Sequence, residues 1–178
     1  MTSMARTSSF DRAASAPHGA SREGQAQSTA VQLTALMLAL LVPTALAYLL
    51  DERQVHGVSG WIKPMKFEAS LALHFGTLAL LLALVAPAVR AGRLMRWSML
   101  VAATLAALEV GYMMLQAGRG RASHFNNDTP LEEVMYALMG LGATTIVVAA
   151  FIAGLLLWRH PRSDVAPGLR LAAAGGLM

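Results

Sequence analysis

Four long apolar runs constrain this 178-residue chain more than any other feature: Val31 to Leu50, Phe67 to Val89, Trp97 to Ala117 and Val134 to Trp158. Each is near or above the ~20 residues that a helix needs to cross ~30 Å of hydrocarbon. Backbone groups facing lipid must pair internally, and runs so rich in Leu, Ala and Met suit helices better than barrel strands. With 56% hydrophobic and 13% charged residues and a mean hydropathy of +0.51, the chain is too apolar for a single water-soluble domain of this length. The expected fold is all-α, a polytopic membrane helix bundle with four transmembrane helices in residues 31–158. Residues 1–30, Ser-, Ala- and Arg-rich without apolar periodicity, are expected to form a disordered cytoplasmic tail. Residues 159–178 form a cytoplasmic turn and then either a mobile tail or the start of a truncated fifth helix.

The net charge of +4 does not point to nucleic acid, because the basic residues lie in short loops between apolar runs. Topology accounts for them. With the N-terminus cytoplasmic, the inner segments hold nine of the basic residues (Arg6, Arg12, Arg22, Arg90, Arg93, Arg96, Arg159, Arg162, Arg170) and the outer ones five (Arg53, Lys63, Lys66, Arg119, Arg121). That is the positive-inside bias, and it sets the orientation, with both ends of the four-span bundle on the cytoplasmic side. The first run also resembles a signal-peptide core ending at Ala45-Leu46-Ala47, but the long preceding tail and the continuation through Leu50 favour a retained helix, kinked at Pro43. The chain has no cysteine, which excludes disulfides, thiolate chemistry and Cys-ligated metal centres.

The polar residues of the spans are ordered. In the second, Lys63, Lys66 or Phe67, Ser70, His74 and Thr77 recur at three- and four-residue steps along one stripe, with Glu68 off it near the interface. In the third, Glu109, Tyr112 or Met113, and Gln116 form another. Counted from the intervening turn, His74 and Glu109 differ in depth by only about 5 Å at 1.5 Å per residue, so they are expected to meet as a proton-titrating pair. The structural alternative is a hydrogen-bonded pair fixing helix register. An ionisable residue inside a span costs at least ~2.5 kcal/mol on insertion scales, so both should face protein or water.

The loop after the third span leads through Thr129, Pro130, Leu131 and Glu132 into the fourth, a capping box with Pro at the first helical position. Gly140, Gly142, Ala143 and Gly154 leave room for close helix contact, and the Gly-rich fourth helix is a candidate surface for homo- or hetero-oligomers. Lys63, Lys66, Arg119 and Arg121 should converge at the outer helix ends, where Gln116, His124, Asn126 and Asn127 add hydrogen-bonding groups. Such a cluster could hold an anion, or contact phospholipid headgroups. Axial ligation of a haem by His74 and His124 is an alternative, as is a weak His74, Glu109 and His124 metal set, although no paired metal-ligand spacing is present and no metal site is assigned. Tyr48, Tyr112 and Tyr136 read as an aromatic belt.

Trp61, Lys63, Pro64, Lys66 and Phe67, followed by Gln116, Arg119, Gly120, Ser123, His124, Phe125, Asn126, Thr129, Pro130 and Met139-Gly140, form a W-x-K-P-x-K-F and Q-x-x-R-G-x-x-S-H-F-N-x-x-T-P pattern. In it, residues 57–178 resemble a family of uncharacterised bacterial multi-pass membrane proteins. The resemblance implies further helices beyond the terminal GGLM stretch, which would make this chain a fragment, and implies no activity. The expected function is binding or translocation of a small polar or anionic solute at the outer side, linked to protons. The alternatives are a haem- or quinone-linked redox subunit and a non-catalytic membrane assembly partner.

Overall fold

The computed structural model describes residues 24–178. It is an all-α bundle of α1 (Gln25–Leu50), α2 (Ile62–Leu82), a single turn α3 (Pro87–Arg90), α4 (Arg93–Gly118), α5 (Pro130–Arg159) and α6 (Pro167–Leu177). A small hairpin of β1 (Gln54–Val55) and β2 (Val58–Ser59) joins α1 to α2. Helices α1, α2, α4 and α5 are each long and apolar enough to cross a membrane, and by that measure this is a membrane protein. Of the expected tail, residues 1–23 lie outside the described residues, and Gln25–Ala30 are helical instead.

That earlier start has a packing cause. Ala26, Ala30, Leu33 and Met37 are buried at three- and four-residue steps, so the contact face of α1 begins before its most apolar run. The polar residues there find partners: Gln27 Nε2 donates to the Ala79 carbonyl at 3.0 Å, and Arg96 donates to Gln25 Oε1 at 3.1 Å. Helix α1 packs along α2 and against α4, α5 packs along α4 and touches α2, and α6 lies on α5. Met37, Phe75, Leu78, Met95, Met99, Met113 and Leu157 fill the common core.

The second apolar run is not one helix to Val89. Pro87 has no N–H to offer an interior turn, and the chain leaves α2 after Leu82. The segment then pairs with the chain after α5: Ala86 N–H donates to the His160 carbonyl at 2.9 Å and Arg162 N–H to Leu84 at 2.8 Å, around a bridge between Val85 and Pro161. These bonds tie two connections together at the bundle end opposite the hairpin.

The segment after residue 159 is folded against its neighbour. Helix α6 crosses α5 at Gly154, where a Cβ would stand 2.9 Å from Leu177 Cβ and 3.0 Å from the Ala174 carbonyl. No larger residue fits there without parting the helices. The close approach expected of small residues in the fourth span is met at Gly154, while Gly140 faces open space.

Candidate functional site

At the hairpin end, the chain from Arg119 to Thr129 folds back between α2, α4 and α5. Gly120, at φ +67°, takes the left-handed position after α4. Its N–H bonds to Ala117 and that of Arg121 to Gln116, the paired bonds of a Schellman C-cap. The loop is then fixed from within: Asn126 donates to the Ala122 carbonyl at 2.9 Å and accepts from Asp128 N–H at 3.1 Å.

Thr129 caps α5 by accepting from Glu132 N–H at 3.3 Å. The Glu132 carboxylate reaches back to the Thr129 hydroxyl at 3.0 Å, a variation on the expected box. Glu132 is buried and also accepts from Gln116 Nε2 at 3.1 Å and pairs with Arg121 at 3.0 Å. One carboxylate thus joins the end of α4, the loop and the start of α5.

This anchoring inserts His124 into the bundle. Its ring lies 5.8 Å from Phe67 and 5.9 Å from Tyr136, centroid to centroid. Ser123 Oγ is 3.1 Å from Nδ1, and Glu109 Oε1 is 3.9 Å from Nε2. The last distance is too long for a hydrogen bond. Burial, with the nearby Lys63 ammonium, pushes the His124 imidazole down from 6.5 to about 4, so the ring is neutral at neutral pH.

Beside His124 lies a cavity of about 420 Å³ between the hairpin, the first turns of α2, the end of α4 and the loop. Its ionisable lining residues are His56, Lys63, Lys66, Arg121 and His124, all of them basic. Val55, Val58, Ile62, Phe67 and Met113 supply apolar wall. The Lys63 ammonium also interacts electrostatically with the Glu109 carboxyl. Glu109 itself lines a second, apolar crevice of about 180 Å³ between α4 and α5, with Oε2 3.6 Å from where a Cβ on Gly142 would be.

The roof is latched to α4. Arg53 pairs with Asp51 at 2.6 Å and donates to the Gly118 carbonyl at 3.0 Å, and Trp61 Nε1 donates to Asp51 at 2.9 Å. These bonds from Arg53 and Trp61 hold the Asp51 carboxyl well below the usual carboxylate range. His56 and Gly57, both at positive φ, make the two-residue turn of the hairpin.

Of the sequence candidates, Lys63, Lys66, Arg121 and His124 therefore share one cavity. Gln116, Arg119 and Asn126 do not line it. Gln116 is spent on Glu132 and the Tyr112 hydroxyl, Arg119 on Gln116 Oε1, and Asn126 on the loop backbone. Asn127 is exposed and outside the cavity lining. Thr129, Pro130 and Glu132 form the helix start as read from sequence.

The expected pair of His74 and Glu109 is corrected. The imidazole near Glu109 is His124, brought in by a loop whose fold-back the span-depth argument could not include. His74 instead stands edge-on to Phe75 with Nε2 buried and lacking a hydrogen-bond partner among the described residues. Below Phe67 the polar stripe of α2 turns away from the cavity, with Ser70 and Thr77 exposed.

Glu68 lies off the polar stripe of α2, as its spacing placed it, and the neighbouring helix determines its surroundings. Glu68 is fully buried in the seam between α1 and α2, accepting from the equally buried Thr44 hydroxyl at 2.8 Å, with Oε2 unpartnered. The available signal was its place in the Pro64, Glu68, Leu71 and Phe75 series, which is the buried face of α2. Among the described residues no group of three His, Asp or Glu side chains converges to hold a metal. No protein-family model, curated protein or solved structure matches this chain.

Proposed function

We propose that this protein binds or translocates a small anionic solute at the basic cavity, with His124 and Glu109 linking occupancy to protons. The observation that carries this reading is the lining: five ionisable side chains, every one basic. The carboxylates close by, Asp51, Glu109, Asp128 and Glu132, all stand outside the cavity wall. Lys66 has no ion pair among the described residues and is exposed, so its charge is available to a ligand. In the orientation favoured by the loop charges, the cavity opens outside a bacterial inner membrane.

The coupling follows from His124. An anion beside the imidazole favours its protonated form, so binding raises its proton affinity from the low value that burial imposes. By linkage, anion affinity then rises as pH falls. The empty protein responds in the opposite sense. Its His124 is held at about 4 against an ordinary 6.5, so the stability contributed by the neutral ring is complete above about 6.5 and is lost as pH falls from there toward 4.

Sulfate, whose charge is constant between pH 8 and pH 5, is a suitable probe for calorimetry on the protein in nanodiscs of zwitterionic lipid. Lys63→Gln and Lys66→Gln are each expected to weaken binding at least fivefold. His124→Gln is expected to remove the gain in affinity on acidification and to flatten the acid loss of stability. Unchanged sulfate affinity in both lysine variants would overturn the reading. Haem between His74 and His124 is a poorer fit, because His124 lines the basic cavity and His74 does not.

A further inference from the structure

The same cavity is built for more than charge. Alongside its basic groups stand Val55, Val58, Ile62, Phe67 and Met113, from the hairpin, α2 and α4. A small, fully hydrated anion gains nothing from such walls and would have to shed water to touch them. An occupant with a hydrocarbon body gains from both kinds of wall. The volume of about 420 Å³ is within the range of sites that enclose an organic ligand and exceeds what one inorganic oxyanion needs.

Four of the five basic groups gather on two elements, with His56 apart from them in the hairpin turn. Lys63 and Lys66 lie one turn apart on α2, and Arg121 and His124 come from the loop facing them. The hairpin valines form the remaining side, over the end of α4, where Gly60 approaches Ala117 closely. One part of the lining is thus suited to an oxyanion head and another to an apolar body.

We infer that the occupant is an amphiphilic organic oxyanion, with its head among Lys63, Lys66 and Arg121 and its hydrocarbon body against the hairpin and Met113. This rests on the reading of the cavity as an anion site and adds the class of ligand. Inorganic sulfate, ethyl, butyl and hexyl sulfate, and hexanol are titrated into the protein in nanodiscs of phosphatidylcholine. Each buried methylene should tighten binding about fourfold, so hexyl sulfate is expected to bind at least tenfold tighter than ethyl sulfate, with hexanol binding far more weakly. Val58→Asp, on the exposed hairpin, is expected to flatten that chain-length dependence. Lys66→Gln is expected to weaken the whole alkyl sulfate series by a similar factor and leave the dependence intact.

Equal affinity for sulfate and hexyl sulfate overturns the amphiphile and leaves the anion site standing. Equal affinity for hexanol and hexyl sulfate, or binding by none of the probes, overturns both. Phosphatidic acid added to the nanodisc separates the sources of such a ligand: competition with hexyl sulfate assigns it to the bilayer, and lack of competition assigns it to solution. Either result sustains the amphiphile.

Discussion

Two buried carboxyl groups, Glu109 on α4 and Glu68 on α2, have opposite surroundings. Glu109 is coupled to Lys63, lies 3.9 Å from His124 and opens onto an apolar crevice. Glu68 has a single hydroxyl donor, Thr44, an unpartnered second oxygen and no exposure. The first stands behind a basic cavity and the second is enclosed in a helix seam. An acidic residue in an apolar helix is therefore not a functional assignment by itself, and its neighbours across the seam decide what it can do.

The largest separation between them should come from placing a cation in the seam. Glu68→Lys puts an ammonium into a fully buried seam, at a cost of at least ~2.5 kcal/mol. A sharply lowered melting temperature or loss of the folded protein is expected, and near-normal melting would mean that the seam opens to water. A smaller effect distinguishes the two residues in binding. Glu109→Gln removes a negative charge beside Lys63, so sulfate affinity at pH 8 is expected to rise severalfold, while Glu68→Gln should leave it within twofold. If both variants shift sulfate binding equally, the contrast collapses. The smallest effect is that of Thr44→Val, which removes the one donor to Glu68. A loss of about 1–2 kcal/mol is expected from denaturant titration, with sulfate binding unchanged.

The bundle itself was legible because apolar length is a local property. Runs of about twenty residues specify helices that cross hydrocarbon whatever their neighbours. The ends were less so. The second apolar run extends to Val89, but Pro87 and the pairing of Ala86 with His160 close the helix at Leu82, and that partner is far along the chain. At the site, Lys63, Lys66, Arg121 and His124 were readable as a cluster because charge collects at helix ends. The substitution of His124 for His74 as the neighbour of Glu109 was not readable, since it depends on a loop turning inward at Gly120. The burial of Glu68 was harder to read, because it interrupts an otherwise apolar face and only the opposite helix shows that Thr44 meets it.

The latch from Trp61 to Asp51 has a spectroscopic consequence. Of the three tryptophans, Trp61 alone stands at the hairpin end, hydrogen-bonded beside the cavity roof. Trp97 and Trp158 lie at the far end of the bundle, the latter under the Arg170 guanidinium. Indole emission changes that accompany filling of the cavity should therefore arise from one chromophore, giving an intrinsic optical readout of occupancy without an added label.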